Sequence, residues 1–192
     1  MSSEAGAFVL LDRDGVINRD LPQSVLGVDD FELLPAAAAA ITKLNEGGYR
    51  VLVITNQACV GRGELTVGEL AAIHALMLDR VAAAGGHITG IYVCPHTDED
   101  ACNCRKPQPG LIERARDEHA FEPAETWFVG DAERDVHAAI AAGCRPALLR
   151  SGKPLEATPD DVPVFDDLMQ FANTLVGGPV DSAGAARFVA VK

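Results

Sequence analysis

Five short runs of almost purely apolar residues punctuate the first 150 positions: Ala7–Leu11 (AFVLL), Val51–Ile54 (VLVI), Ile88–Val93 (ITGIYV), Thr126–Val129 (TWFV) and Pro146–Leu149 (PALL). A strand that is apolar at successive positions has to be covered on both faces. That is the condition of a parallel sheet between helices, not of a sheet with one wet side. Val162–Phe165 is a weaker sixth run. Helical patterns fill the gaps. Pro35–Glu46 starts on Pro and stops before Gly47-Gly48, the usual asymmetry of helix ends. Thr66–Ala84 opens with Thr66 and Glu69 at capping-box spacing and stops at Gly85-Gly86. Pro109–His119 and Glu133–Ala142 follow, the second closed by Gly143. This alternation predicts an α/β fold: a doubly wound, Rossmann-like parallel sheet with helices on both faces.

At 192 residues the chain suits one domain, expected over residues 1–176, with 177–192 as a mobile tail in which Phe188–Val191 is a candidate edge strand. Only about fifty residues separate Thr55 from Lys106, and a helix and a strand use many of them. The site is therefore expected to be cap-less and open. The N-terminus lacks the basic and apolar regions of a signal peptide. No run approaches the roughly 20 apolar residues that cross a bilayer. These features predict a soluble cytoplasmic protein with no membrane partner, in a compartment where disulfides are disfavoured. The formal charge of −12 opposes nucleic-acid binding, which neutralises phosphates with Lys and Arg. A monomer acting on a small phosphorylated metabolite is the expectation, with any phosphate site built locally.

In such sheets ligands sit beyond the carboxyl ends of the strands. The first run leads into Asp12-Arg13-Asp14-Gly15 and the second into Thr55-Asn56-Gln57. The third leads towards Lys106, and the fourth ends Gly130-Asp131 with Asp135 close behind. Asp12, Asp14 and Asp131 make an anionic all-oxygen set suited to Mg²⁺. A carboxylate there can capture a phosphoryl group as an aspartyl-phosphate, splitting one hard displacement into two. Thr55 and Lys106 supply a hydroxyl donor and a positive charge for the phosphoryl oxygens.

The stretch CPHTDEDACNCRKP (residues 94–107) gathers Cys94, His96, Cys102 and Cys104. Cys-x-His followed by Cys-x-Cys offers four ligands, the number of a closed tetrahedral structural Zn²⁺ site. A disulfide inside Cys102-x-Cys104 is strained, and an iron–sulfur cluster usually wants four thiolates. Loop thiols without a metal remain the alternative. A closed zinc site does no chemistry itself; its expected role is to freeze a long loop and aim Arg105 and Lys106 at the phosphate.

DRDGV, the Thr of VITNQ, the Lys of CRKP and the GD of VGDAERD together resemble the four motifs of the haloacid dehalogenase superfamily of phosphatases, over roughly residues 7 to 152. The resemblance implies Asp12 as nucleophile and Asp14 as the acid that protonates the leaving oxygen and then activates water. It implies Thr55 and Lys106 as phosphoryl ligands, and Mg²⁺ held by Asp12, the backbone carbonyl of Asp14, and Asp131. Together with CPH…CxCRKP, the stretches LDRDGVIN, FELLP, TNQACVGRGELT and RSGKP are similar to the D-glycero-D-manno-heptose 1,7-bisphosphate 7-phosphatases. The short cysteine loop is similar to that of the related histidinol-phosphate phosphatases, which stay the alternative; a non-enzymatic zinc module is a remote one. By the heptose resemblance the substrate is bound by Asp20, Thr55, Asn56, Gln57, Arg105 and Lys106. The rigid donor fork of Arg105 suits a second phosphate or sugar hydroxyls.

Overall fold

In a computed structural model, residues 7–150 and 161–178 are described. Six strands, β1 (Phe8–Leu11), β2 (Arg50–Asn56), β3 (Ile88–Cys94), β4 (Trp127–Gly130), β5 (Arg145–Leu149) and β6 (Val164–Phe165), form one sheet in the order β3-β2-β1-β4-β5-β6. Every neighbouring pair is parallel. The helices are α1 (Ala37–Glu46), α2 (Ala58–Gly61), α3 (Val67–Ala83), α4 (Gly110–His119), α5 (Glu133–Ala141) and α6 (Leu168–Gly177). The predicted doubly wound sheet is the observed one.

Alternation along the strands sorts the side chains into two layers. Val9, Leu11, Val51, Val53, Val129 and Leu149 face α1, α3 and α6. Phe8, Leu10, Leu52, Ile54, Tyr92 and Phe128 face α4 and α5. Fully burying each such side chain contributes roughly 1.5–3 kcal/mol, so a polar group in the middle of either layer would be costly. Polar chemistry is confined to the strand ends.

The capping box of α3 forms as the spacing predicts: Glu69 N donates to Thr66 Oγ1 (3.2 Å) and Thr66 N to the Glu69 carboxylate (2.8 Å). Three boundaries differ in ways that bear on the site. β2 continues through Thr55 and Asn56, so both are strand residues with fixed backbones. β3 continues to Cys94, which roots the cysteine loop in the sheet. α6, which the sequence reading left unassigned, buries Leu168, Phe171, Ala172 and Leu175 at helical spacing, and Asp167 caps it by accepting from Gln170 N at 2.7 Å. Phe171 there meets Trp127 and Phe165 edge-on. The RSGKP stretch beyond Arg150 and the tail from residue 179, including Phe188–Val191, lie outside the described residues.

Candidate active site

β1 runs directly into Asp12, whose N–H donates to Val129 O (2.9 Å) and so extends the sheet's hydrogen bonding one step past the strand. The Asp12 side chain is thereby aimed by backbone. Its Oδ1 accepts from Arg13 N (2.7 Å) and lies 2.8 Å from Lys106 Nζ. That ammonium, only 2 % exposed, also lies 2.7 Å from Asp135 Oδ1 and donates to Ile54 O at 3.0 Å. It stands 5.2 Å above the Phe128 ring centroid. Burial works against a charged lysine, yet the Asp12 and Asp135 carboxylates outweigh it and hold Lys106 above its ordinary value.

Asp131 brings the third carboxylate. Oxygens of Asp12, Asp131 and Asp135 all lie within 4.8 Å of one another. Gly15 makes the approach possible: its φ is +78°, and a Cβ there would overlap the Asp131 carboxylate. Among the described residues, Asp131 Oδ1 is buried without a hydrogen-bond partner, a costly state for an anionic oxygen. Burial first, then Asp135 and Asp131, push Asp12 up to about 7 against the pull of Lys106. Burial and Asp135 push Asp131 up to about 6. Lys106 and the Arg134 guanidinium, near enough for these acids to feel it, do not neutralise three carboxylates with Asp20 close by, and an unpaired oxygen beside two further carboxylates is a donor set that fits a hard divalent cation such as Mg²⁺.

Asp14 lies beside this cluster, not within it. Its oxygens accept from Arg13 Nη2 (2.9 Å to each), Asn18 Nδ2 (2.9 Å) and Gln57 Nε2 (2.8 Å). Burial alone would raise its pKa, but Arg13, then Asn18 and Gln57, overcome it and hold the carboxyl below the usual range. Gln57 is saturated: its amide nitrogen also donates to Thr55 Oγ1 (2.8 Å), and its oxygen accepts from Arg13 (3.1 Å). Asn56 staples the loop below. Its side-chain amide donates to Lys106 O and accepts from Lys106 N, both at 3.1 Å. Arg105 pairs with exposed Asp98 (2.6 Å) and donates to His96 O (3.4 Å).

The thiol cluster closes at the end of β3. Cys104 Sγ lies 3.3 Å from Cys94 Sγ, 3.4 Å from Cys102 Sγ and 3.2 Å from His96 Nδ1. Cys94 Sγ lies 3.6 Å from His96 Nδ1 and 3.7 Å from Cys102 Sγ. All five cysteines are free. Zn–S bonds of about 2.3 Å imply tetrahedral edges of roughly 3.7 Å, so these four atoms have the spacing and the softness for zinc.

Against known proteins, the HAD-hydrolase-like family profile matches residues 103–170. The D-glycero-β-D-manno-heptose-1,7-bisphosphate 7-phosphatase of Neisseria meningitidis is 42 % identical over 176 residues, covering 88 % of this chain and 94 % of the relative. The same enzyme of Pseudomonas aeruginosa is 36 % identical over 174 residues, covering 88 % and 98 %. Among solved structures, the D,D-heptose 1,7-bisphosphate phosphatase of B. bronchiseptica complexed with magnesium and phosphate superposes with a TM-score of 0.85 at 34 % identity, covering 89 % of this chain and 98 % of that one. The chain belongs to this phosphatase family.

The phosphatase brings Asp12, Thr55, Lys106 and Asp131 to one rim, as the strand-end reading anticipated. It differs in the third acid of the cluster: the side chain of Asp135, not that of Asp14, joins Asp12 and Asp131. Asp135 also accepts from the N–H groups of Asp131 and Ala132 (both 3.2 Å), so it caps α5 while balancing Lys106. Asn56 and Gln57 spend their side-chain amides inside the protein. Asp20 is half-buried and near enough to Asp131 for the two charges to be felt. Two residues that were not anticipated stand behind these groups: fully buried Arg13, and His74 on α3, 3.2 Å from it. An arginine between two acids beyond a strand was a signal for the first. Nothing in the sequence marked the second.

Proposed function

We propose that this phosphatase removes the 7-phosphate of D-glycero-D-manno-heptose 1,7-bisphosphate through a phospho-Asp12 intermediate, within a single catalytic domain. The family relation supports the substrate. The observation that carries the chemistry is the convergence of Asp12, Asp131 and Lys106 at one buried point.

In the first step an Asp12 carboxylate oxygen attacks phosphorus, the bond from phosphorus to the sugar oxygen breaks, and Asp14 gives that oxygen a proton. In the second, Asp14 takes a proton from water, the water oxygen attacks phosphorus, and the acyl phosphate bond breaks to return Asp12 and inorganic phosphate. Thr55 and Lys106 hold the phosphoryl oxygens throughout. Lys106 is suited to this because it already bridges two carboxylates and stays charged. Asp12, Asp131 and the backbone carbonyl of Asp14 would hold Mg²⁺, which neutralises charge on the transferring group. The grip of Arg13 favours ionised Asp14, the form that the water step needs; the proton that Asp14 takes from water there is the one it gives to the leaving oxygen of the next turnover.

Cys94, His96, Cys102 and Cys104 would hold structural Zn²⁺. With all four positions filled by protein, the ion orders the loop that presents Arg105 and Lys106. Arg105, held by a partly exposed pair with Asp98 that is worth little and by a long 3.4 Å bond to His96 O, is readily released to a second phosphate. Asn56 and Gln57 act in substrate recognition by fixing Lys106 and Asp14; Asp20 adds a polar wall.

The test compares kcat/KM for the heptose bisphosphate and for histidinol phosphate on one preparation, with Asp12→Asn as control. We expect preference for the bisphosphate and no turnover by the variant. Preference for histidinol phosphate would overturn the substrate; turnover by Asp12→Asn would overturn the mechanism.

A further inference from the structure

Beside the reacting acids lies a cation that the two chemical steps do not use. Arg13 is 0 % exposed, and a buried charge is costly unless it is paired and its donors are bonded. Its carboxylate partner is Asp14, met by Nη2 at 2.9 Å from both oxygens and by Nε at 3.3 Å. Gln57 Oε1 accepts a further N–H at 3.1 Å. The other amino group, Nη1, lies 3.2 Å from Nε2 of His74, which reaches in from α3 across 61 residues of sequence.

Chemistry fixes the direction of that last bond. A guanidinium has donors only, so the imidazole nitrogen must accept, with the ring neutral and its proton on Nδ1. The surroundings agree: burial, then the charge of Arg13, push His74 down to about 4. The rest of the inward face of α3 is apolar, built of Leu70, Ile73, Met77 and Val81. His74 is the one polar side chain in that buried row, at 9 % exposure, and it meets the buried arginine.

We propose that His74 is a positioning residue for the phosphatase reaction: by accepting from Arg13 Nη1 it locks the guanidinium whose other N–H groups hold the Asp14 carboxylate. The inference rests on the reading in which Asp14 moves protons at phospho-Asp12. Arginine is long and has many rotamers, so two contacts on one side leave it free to pivot, whereas a third on the opposite side removes that freedom. Misplacement by about 1 Å at an acid–base group can cost on the order of a hundredfold in rate.

The two steps should not suffer equally. Capture of the phosphoryl group depends on Asp12 and Lys106, to which the Arg13 guanidinium makes no bond, and on Thr55, which it reaches only through Gln57, whereas it grips Asp14 directly; bound substrate itself also brings the leaving oxygen to Asp14. Hydrolysis depends on a small water whose aim is set by Asp14 alone. Loss of the His74 anchor therefore slows the second step more than the first, and phosphorylated enzyme accumulates.

The test uses His74→Leu, which removes the acceptor at similar bulk, and His74→Gln, whose amide oxygen can still accept. Steady-state kinetics with heptose 1,7-bisphosphate labelled in its 7-phosphate are combined with acid-quench measurement of the phosphorylated fraction. His74→Leu is expected to lower kcat about tenfold and KM with it, to leave kcat/KM within about threefold, and to raise the phosphorylated fraction. His74→Gln is expected to restore kcat to within about threefold of the parent. Unchanged kcat in folded His74→Leu would overturn the proposal. So would an equal fall in kcat and kcat/KM with no rise in phosphoenzyme, the mark of mere structural damage. If His74→Leu does not fold, His74→Asn, too short to reach Arg13, takes its place under the same criteria. Activity in Asp12→Asn would sink the underlying phosphoenzyme reading whatever the His74 variants do.

Discussion

Around Asp12, three carboxylates and an ammonium meet in a space that leaves one Asp131 oxygen without a partner. Around Cys94, three sulfurs and one imidazole nitrogen meet at 3.2–3.7 Å, with no fifth His, Cys or carboxylate ligand among the described residues. Both are small clusters of ligand atoms at strand ends of one sheet, the first beyond β1 and β4 and the second at β3, with β2 between them. The first is hard, over-charged and short of one cation. The second is soft, and its four atoms could hold a metal ion by themselves. Chemistry belongs where the donor set is incomplete, and scaffolding where it is complete. Asn56 joins the two, since its amide grips the backbone of Lys106 at the end of the cysteine loop.

The largest expected effect breaks the first cluster alone. Asp12→Asn should lower kcat by at least about a thousandfold, while zinc content by elemental analysis and the unfolding temperature stay near the parent values. Zinc loss in that variant would mean that the clusters are not separable. Next, Cys104→Ser should remove the second cluster: we expect less than one zinc per chain and a fall in unfolding temperature of roughly 10 °C, since a few kcal/mol shift Tm by about 2–4 °C each at this size. Activity should fall with it because Lys106 loses its support. Full zinc and an unchanged melting curve would show that Cys104 is not a ligand.

A smaller effect sharpens the contrast by pH. With Asp12 raised to about 7 and Asp131 to about 6, both acids hold protons well above the usual carboxylate range. Magnesium has to displace those protons, so its affinity should strengthen as pH rises through this window. Calorimetry should give Mg²⁺ binding at least about tenfold weaker at pH 5.5 than at pH 8. Equal affinity at both pH values would show that the acids are already ionised without the metal. The smallest effect concerns the link. Asn56→Ala should cost a few-fold in kcat and about 1 kcal/mol of stability for its two hydrogen bonds, read by kinetics and thermal unfolding; no change in either would remove Asn56 as the connection.

Much of this was legible in the chain itself. Continuous apolar runs can be buried only in a two-sided sheet, so the strands and their ends followed, and with them Asp12, Thr55, Lys106 and Asp131. The cysteine cluster was legible because its ligands are local. α6 carried a readable signal, Asp167 before Leu168, Phe171, Ala172 and Leu175 at helical spacing. The contacts of Arg13 and His74 were not legible: they join residues 61 apart, and an isolated histidine on an apolar helix face has no pattern. Asn56 and Gln57 looked like free polar groups because a sequence does not show which amides are spent internally.

The central claim is covalent capture by Asp12, and peptide mapping tests it most directly. Enzyme quenched in acid during turnover of 7-phosphate-labelled substrate, digested and analysed by mass spectrometry should carry the label on Asp12 and lose it to hydroxylamine. Label on another side chain, or turnover at full rate with no labelled peptide under conditions that preserve acyl phosphates, would contradict it.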